Sequence, residues 1–176
     1  MGSGAMGRPA AGEYDGYFER YVALVPERDV TAAIEAGLAG TAAFLRGIPA
    51  EMGDHRYAPG KWTVREVVGH VLDTERLLAF RAFAFARGEV APLPGADEDV
   101  YARNAPHANV PMDDLVDELE HVRGASVALF RHLPDEAWAR TGVANGRPVS
   151  VRALAYILLG HERHHWNVLR ERYLGG

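Results

Sequence analysis

The chain has 176 residues, a single domain by length, with 48% hydrophobic and 24% charged residues, the balance of a globular protein rather than a disordered one. No run approaches the ~18 apolar residues of a membrane span and no charged-then-apolar leader opens the chain, so a cytoplasmic protein is expected. A net charge of −5 offers no basic field to nucleic acid. There are no cysteines and eight histidines, which excludes disulfides, thiolate-bound metal and a cysteine nucleophile. Any metal must be held by nitrogen and oxygen, and Lys61 is the only lysine.

Residues 1–12, opening MGSGAMG, read as a flexible terminus or expression remnant, and 13–176 as one helical domain. Tyr14, Tyr17, Phe18, Tyr21 and Leu24 recur at spacings of three and four, predicting a short aromatic helix that Pro26 ends. Val30, Ile34, Leu38, Thr41, Leu45 and Ile48 mark a long helix capped by Asp29. Thr63-Val-Arg-Glu66 is a capping box, with Trp62 and Val67 at staple positions, so a second long helix begins at Val64 and runs to Arg87 before Gly88. The stretch 88–111, with four prolines and Asp97, Glu98 and Asp99, has no period and reads as a lid or extended crossover. Pro111 suits the first position of a third long helix, carried by Leu115, Leu119, Val122, Ser126, Leu129 and Leu133 and closed by Pro134. Asn145-Gly146 between valines predicts a small hairpin or a plain loop. Ser150 then caps a fourth long helix reaching about Tyr173. Four long helices without sustained strand alternation make an all-α bundle with a long connection between its second and third helices.

The fourth helix has an apolar stripe of Val151, Leu154, Ile157, Leu158, Val168 and Leu169, and His161 and His165 fall in its middle. Two imidazoles one turn apart point the same way and can share an ion. His164 sits at the stripe's edge. One buried histidine is ordinarily a hydrogen-bonded core residue; two on a core face each demand a polar partner. The third candidate ligand is His70, on the shoulder of the second helix's stripe, with Glu66, Asp73 and Thr74 within a turn as supporting groups. His55, His107, His121 and His132 lie in loops or on polar faces and read as solvated. Arg76, Arg81 and Arg163 are candidates to hold an anionic thiol or substrate, against ion pairs or a wet face. Trp62 and Trp166 read as packing anchors.

The segments Lys61 to His70, Asp73-Thr74-Glu75-Arg76, Leu93-Pro94-Gly95 and Gly160-His161-Glu162-Arg163-His164-His165 together resemble the DinB-like (YfiT-like) metal-binding superfamily, over about Val30 to Leu174. The resemblance implies an antiparallel four-helix bundle with a left-handed, crossed-over arrangement and a metal held by His70, His161 and His165. It also implies a thiol-dependent transferase or isomerase using a low-molecular-weight thiol, or a metal-dependent hydrolase, and often a homodimer. A divalent ion on nitrogen ligands suits zinc, nickel, copper or iron; zinc is expected on availability, with nickel, iron or manganese as alternatives. With no cysteine in the chain, a sulfur nucleophile would come from a cosubstrate. The reading is thus a metal-dependent transferase or hydrolase acting on a small molecule, with neither nucleic acid nor membrane as partner. The alternative is a non-catalytic bundle serving dimerisation or partner binding.

Overall fold

The computed structural model describes residues 7–175; the expectation for residues 1–6 lies outside them. From Gly7 the chain is tied to the body: the Gly7 N–H donates to the Arg28 carbonyl and the Arg8 guanidinium to that of Val22, at 2.8 and 3.1 Å. The elements are α1 (Glu19–Val22), α2 (Val30–Arg46), α3 (Val64–Ala86), α4 (Glu98–Asn104), α5 (Met112–Arg131), α6 (Asp135–Trp138), β1 (Thr141–Ala144), β2 (Arg147–Ser150) and α7 (Val151–Val168), which continues as a π-helical turn over Leu169–Tyr173.

Four of these elements are the predicted long helices, and their starts follow local chemistry. Asp29 and Ser150 accept from the backbone N–H three residues on, and Thr63 and Glu66 form a reciprocal capping box. Pro111 is the cap of α5 rather than its first residue, with ψ at 145°. The predicted aromatic helix is broken. Asp15 caps a 3₁₀ turn over Gly16–Phe18, Tyr14 is drawn into an extended bridge with Val149, and only α1 is α-helical. The predicted connection carries α4 and a 3₁₀ turn over His107–Asn109. Asn145 and Gly146, at φ 52° and 70°, make the tight turn that pairs Thr141 with Ser150 and Ala144 with Arg147.

Two apolar clusters fill the bundle. One gathers Ile34, Phe85, Phe130, Trp138, Leu154 and Ile157; the other gathers Leu45, Leu72, Leu115, Leu119, Trp166 and Leu169. Their order along each helix gives the directions. α2 and α7 run from the first cluster to the second, and α3 and α5 run back, so the bundle consists of two antiparallel pairs, α3 with α7 and α2 with α5. The chain therefore has to return along the bundle between α3 and α5, which is why 88–111 is long. Between the clusters lies a buried polar layer. Arg123 Nε and Nη2 donate to Glu75 at 2.9 and 2.7 Å, Nη2 also donates to Glu162, and the Thr41 hydroxyl donates to Glu162 at 2.9 Å. All four long helices contribute. No helix among the described residues is long and apolar enough to cross a membrane.

Candidate metal centre and its cavity

The capping box fixes where α3 begins and so places His70 in its second turn, facing α7. Gly160 allows the N-terminal segment to close from the other side: a Cβ there would stand 2.1 Å from the Tyr21 carbonyl oxygen. Between these elements His70, His161 and His165 converge, each offering one nitrogen, all within 4.8 Å of one another. The Nε2 atoms of His70 and His161 are 3.0 Å apart. The rings are walled by Trp62, 4.8 Å from His70 between centroids, and Tyr21, 5.4 Å from His161.

Burial pushes all three imidazoles toward the neutral form: His70 down to about 4, His165 down to about 3, and His161 well below the usual value, with the neighbouring histidines adding to the effect. Neutral imidazole is the ligating form. Two imidazole nitrogens bound at ~2.1 Å to a tetrahedral ion stand about 3.4 Å apart, near the 3.0 Å separation here. The His70–His161 pair is therefore spaced to share a divalent ion, with the His165 nitrogen within 4.8 Å as the third donor, and three protein ligands would leave a coordination position open.

The other candidates are dispersed. Glu66 is committed to the cap and to Arg56, at 2.7 and 2.9 Å. His164 turns aside against Tyr21, 5.5 Å between centroids. Arg163 forms an ion pair with Glu27, and Arg76 bridges Asp73 and Glu118. Asp97 caps α4. Asp73 does line the neighbouring cavity, where its carboxylate meets His107 Nε2 at 2.8 Å. Burial alone would raise the Asp73 pKa, but His107 and Arg76 outweigh it and hold it below the usual range. This corrects the reading of His107 as solvated. The 3₁₀ turn folds its ring onto α3 at Gly69, where an added Cβ would meet the ring at 2.2 Å, leaving it 7% exposed. A glycine on the inner face of a predicted helix was the available signal, but it does not name the ring that fills the gap.

A cavity of about 330 Å³ opens from His70 and His161. Tyr17, Phe18 and Tyr21 form one wall, Leu77 and Leu78 of α3 another, and Tyr101 of α4 covers it. Arg81 lines the same cavity at the end away from the histidines along α3. His165 also faces a second cavity of about 250 Å³, with Lys61, Trp62, Asp99 and Tyr173.

A bundle whose α3 and α7 present three neutral histidines beside a cavity is an architecture suited to a metal-dependent protein. Residues 33–169 match the DinB superfamily, and the chain belongs to it. A curated protein of Oceanobacillus iheyensis named "putative metal-dependent hydrolase" is 28% identical over 111 residues, covering 62% of this chain and 63% of that protein. The chain thus matches less than two thirds of that relative's length. Among solved structures, YfiT from Bacillus subtilis, described as "a probable metal-dependent hydrolase with an unusual four-helix bundle topology", superposes with a TM-score of 0.66 at 19% identity, over 93% of this chain and 91% of that one. A mycothiol-dependent maleylpyruvate isomerase gives a TM-score of 0.66 at 19% identity, over 88% of this chain and 63% of that one. A DinB-like protein of Bacillus subtilis gives 0.59 at 20% identity, over 84% and 92%. At these identities the superpositions establish the shared fold.

Proposed function

We propose that this protein is a metal-dependent enzyme acting on a small molecule, either transferring a low-molecular-weight thiol or hydrolysing its substrate, with His70, His161 and His165 holding one divalent ion. The observation that carries the reading is the convergence of three desolvated imidazoles from α3 and α7 at one end of a 330 Å³ cavity. When bound, an ion on three neutral ligands keeps its positive charge and lowers the pKa of a water or thiol that reaches it. The chain's own residues do the rest. Burial keeps the imidazoles unprotonated, Trp62 and Tyr21 hold the rings against rotation, and the aromatic wall excludes bulk water. The absence of cysteine assigns the sulfur of any thiol reaction to a cosubstrate. Names of relatives support both branches: one is a hydrolase by name, another a mycothiol-dependent isomerase.

Zinc is the proposed ion, with nickel, iron or manganese as alternatives. A homodimer is proposed on the exposed Phe80 and Phe83, 53% and 45% accessible, which border an apolar groove with Val122 and Leu129. The acidic net charge favours a small-molecule partner over nucleic acid, and a cytoplasmic setting is proposed.

The test is metal content by mass spectrometry. Wild-type protein should hold about one divalent ion per chain, and His161→Ala and His165→Ala should lose it while keeping their helical circular dichroism. Full metal content in both variants refutes the site. The second reading rests on the 3.0 Å contact between His70 and His161, which would pair one nitrogen of each ring in a core hydrogen bond of a non-catalytic bundle. In that case chelation leaves the melting temperature unchanged, whereas removal of a tightly held ion lowers it.

A further inference from the structure

Two arginines are buried among the described residues, and they are treated in opposite ways. Arg123, 0% exposed, is clasped by two carboxylates. Arg81, 8% exposed, has none within ion-pair distance among the described residues. Its Nη2 donates to the Pro94 carbonyl at 2.9 Å, and its Nε is buried without a hydrogen-bond partner. A buried charge is ordinarily paired, because removing an ion from water costs far more than one neutral hydrogen bond returns. Burial accordingly lowers the Arg81 pKa from its usual value, although a guanidinium remains charged at any physiological pH.

The cavity walls do not supply the missing anion. Asp73 is engaged by His107 and Arg76, and Glu98 lies exposed on α4 with no ion pair to Arg81. The positive charge therefore stands open to whatever enters the cavity.

The spacing along α3 adds the rest. His70, Asp73, Leu77, Leu78 and Arg81 line the cavity from one face of that helix. Arg81 lies eleven positions along α3 from His70, about 16 Å of helix axis. Long helical side chains lean toward the N-terminus at both positions, so the lean largely cancels and the guanidinium stays roughly 14 Å from the histidines, of which the contacts at the two ends take up about half. The wall between the two ends is hydrocarbon, from Leu77, Leu78 and Ile157.

We propose that Arg81 anchors the carboxylate of an organic-acid substrate whose reacting group is carried to the histidine end by an apolar spacer of about six bonds. This rests on the metal-dependent reading for the histidine end and specifies the class of molecule that the cavity accepts. Arg81 binds and positions; it takes no part in the bond changes.

The probes are ω-mercaptocarboxylates of increasing length (3-mercaptopropionate, 6-mercaptohexanoate and 11-mercaptoundecanoate), each compared with its mercapto-alcohol counterpart. They are titrated into cobalt-loaded protein and followed by the thiolate-to-cobalt charge-transfer absorbance. The expected result is tightest binding at the middle length, with the acid about ten- to a hundredfold better than the alcohol, as one desolvated charge-assisted contact provides. R81Q keeps an amide donor for Pro94 and should abolish the advantage of the acid while leaving the alcohol's affinity unchanged. Equal binding of acid and alcohol, or an undiminished preference in R81Q, overturns the proposal. A second arm needs no metal. In chelator, the Arg81 Nε–H resonance of ¹⁵N-labelled protein, assigned by its loss in R81Q, should shift saturably with hexanoate; no shift beyond that caused by chloride overturns the anchor. Protein that takes up no cobalt refutes the histidine reading alone, and the hexanoate titration then decides Arg81.

Discussion

Replacing Arg123 by Met tests the polar layer that divides the two apolar clusters. Arg123, Glu75 and Glu162 are 0, 2 and 3% exposed. Burial alone would lower the Arg123 pKa, but Glu162 and Glu75 outweigh it and hold it above its usual value. Methionine preserves much of the side-chain volume and removes only the charge and the donors. Two carboxylates then share an interior without a cation. Removing one partner of a buried ion pair costs about 3–5 kcal/mol, and with two carboxylates orphaned the upper end applies. For a chain of this size that corresponds to a melting temperature lower by about 10–20 °C. The assay is urea unfolding at pH 7 followed by circular dichroism, with a thermal melt beside it. The companion variant Glu75→Leu/Arg123→Met/Glu162→Leu removes all three charges and should recover most of the loss, because uniformly apolar replacements of buried ion clusters are often neutral or stabilising. A loss under ~1 kcal/mol in the single variant, or a triple variant as unstable as the single, refutes the reasoning.

The metal-free protein should be acid-labile. With His70 held down at about 4, the unfolded chain takes up a proton below ~6.5 that the folded chain refuses. Stability is then full above pH 6.5 and falls as pH drops toward 4, by about 3 kcal/mol from this residue. Urea midpoints in chelator should show the slope, and H70Q should lessen it by this residue's share while His161 and His165, which burial also holds down, keep theirs; a flat wild-type profile contradicts it. His107→Ala removes a buried ring and its bond to Asp73 and should cost about 2–3 kcal/mol, against ~0.5 or less for His121→Ala or His132→Ala; equal melting temperatures for the three would restore the view of His107 as solvated. Gly160→Ala drives a Cβ against backbone that cannot yield and should cost about 2 kcal/mol. Gly37→Ala on α2, where nothing stands within 4 Å, should instead stabilise by about 0.5–1 kcal/mol, and melts of the two variants moving in the same direction would refute the packing argument.

The sequence disclosed what local chemistry decides. Asp29, the Thr63–Glu66 box and Ser150 act on backbone three residues away, so the starts of α2, α3 and α7 were legible. His161 and His165 were legible because a 3.6-residue period puts them on an apolar stripe, and His70 through the shoulder it occupies and the family resemblance. Partners on other elements were not. Glu75, Arg123 and Glu162 are charged residues that local reading assigns to solvent, and what makes them interior is a counter-charge 48 or 39 residues away. A hint existed: Glu75 lies three residues from both Leu72 and Leu78, on the buried face of α3. The aromatic period from Tyr14 to Leu24 suggested a continuous helix because pairing of Tyr14 with Val149, at the far end of the chain, has no local signature. Arg81 was visible as a cation on α3, but its lack of a counter-charge appears only when every neighbouring carboxylate has been placed.

The wall formed by Tyr17, Phe18 and Tyr21 has a consequence for how the cavity comes into being. The segment that carries it is fastened to the end of the chain. Ser150 donates to Glu13 across 137 residues, and Arg163 donates to the Leu24 carbonyl across 139. During synthesis at roughly 5–20 residues per second, this first segment waits on the order of ten seconds for the helix that receives it. α2, α3 and α5 have emerged by then, and the cavity, which α7 lines with Ile157 and His161, cannot close before that helix is made. A ribosome that stalls before α7 leaves a nascent chain with no enclosed chamber, its aromatic segment still exposed to chaperones.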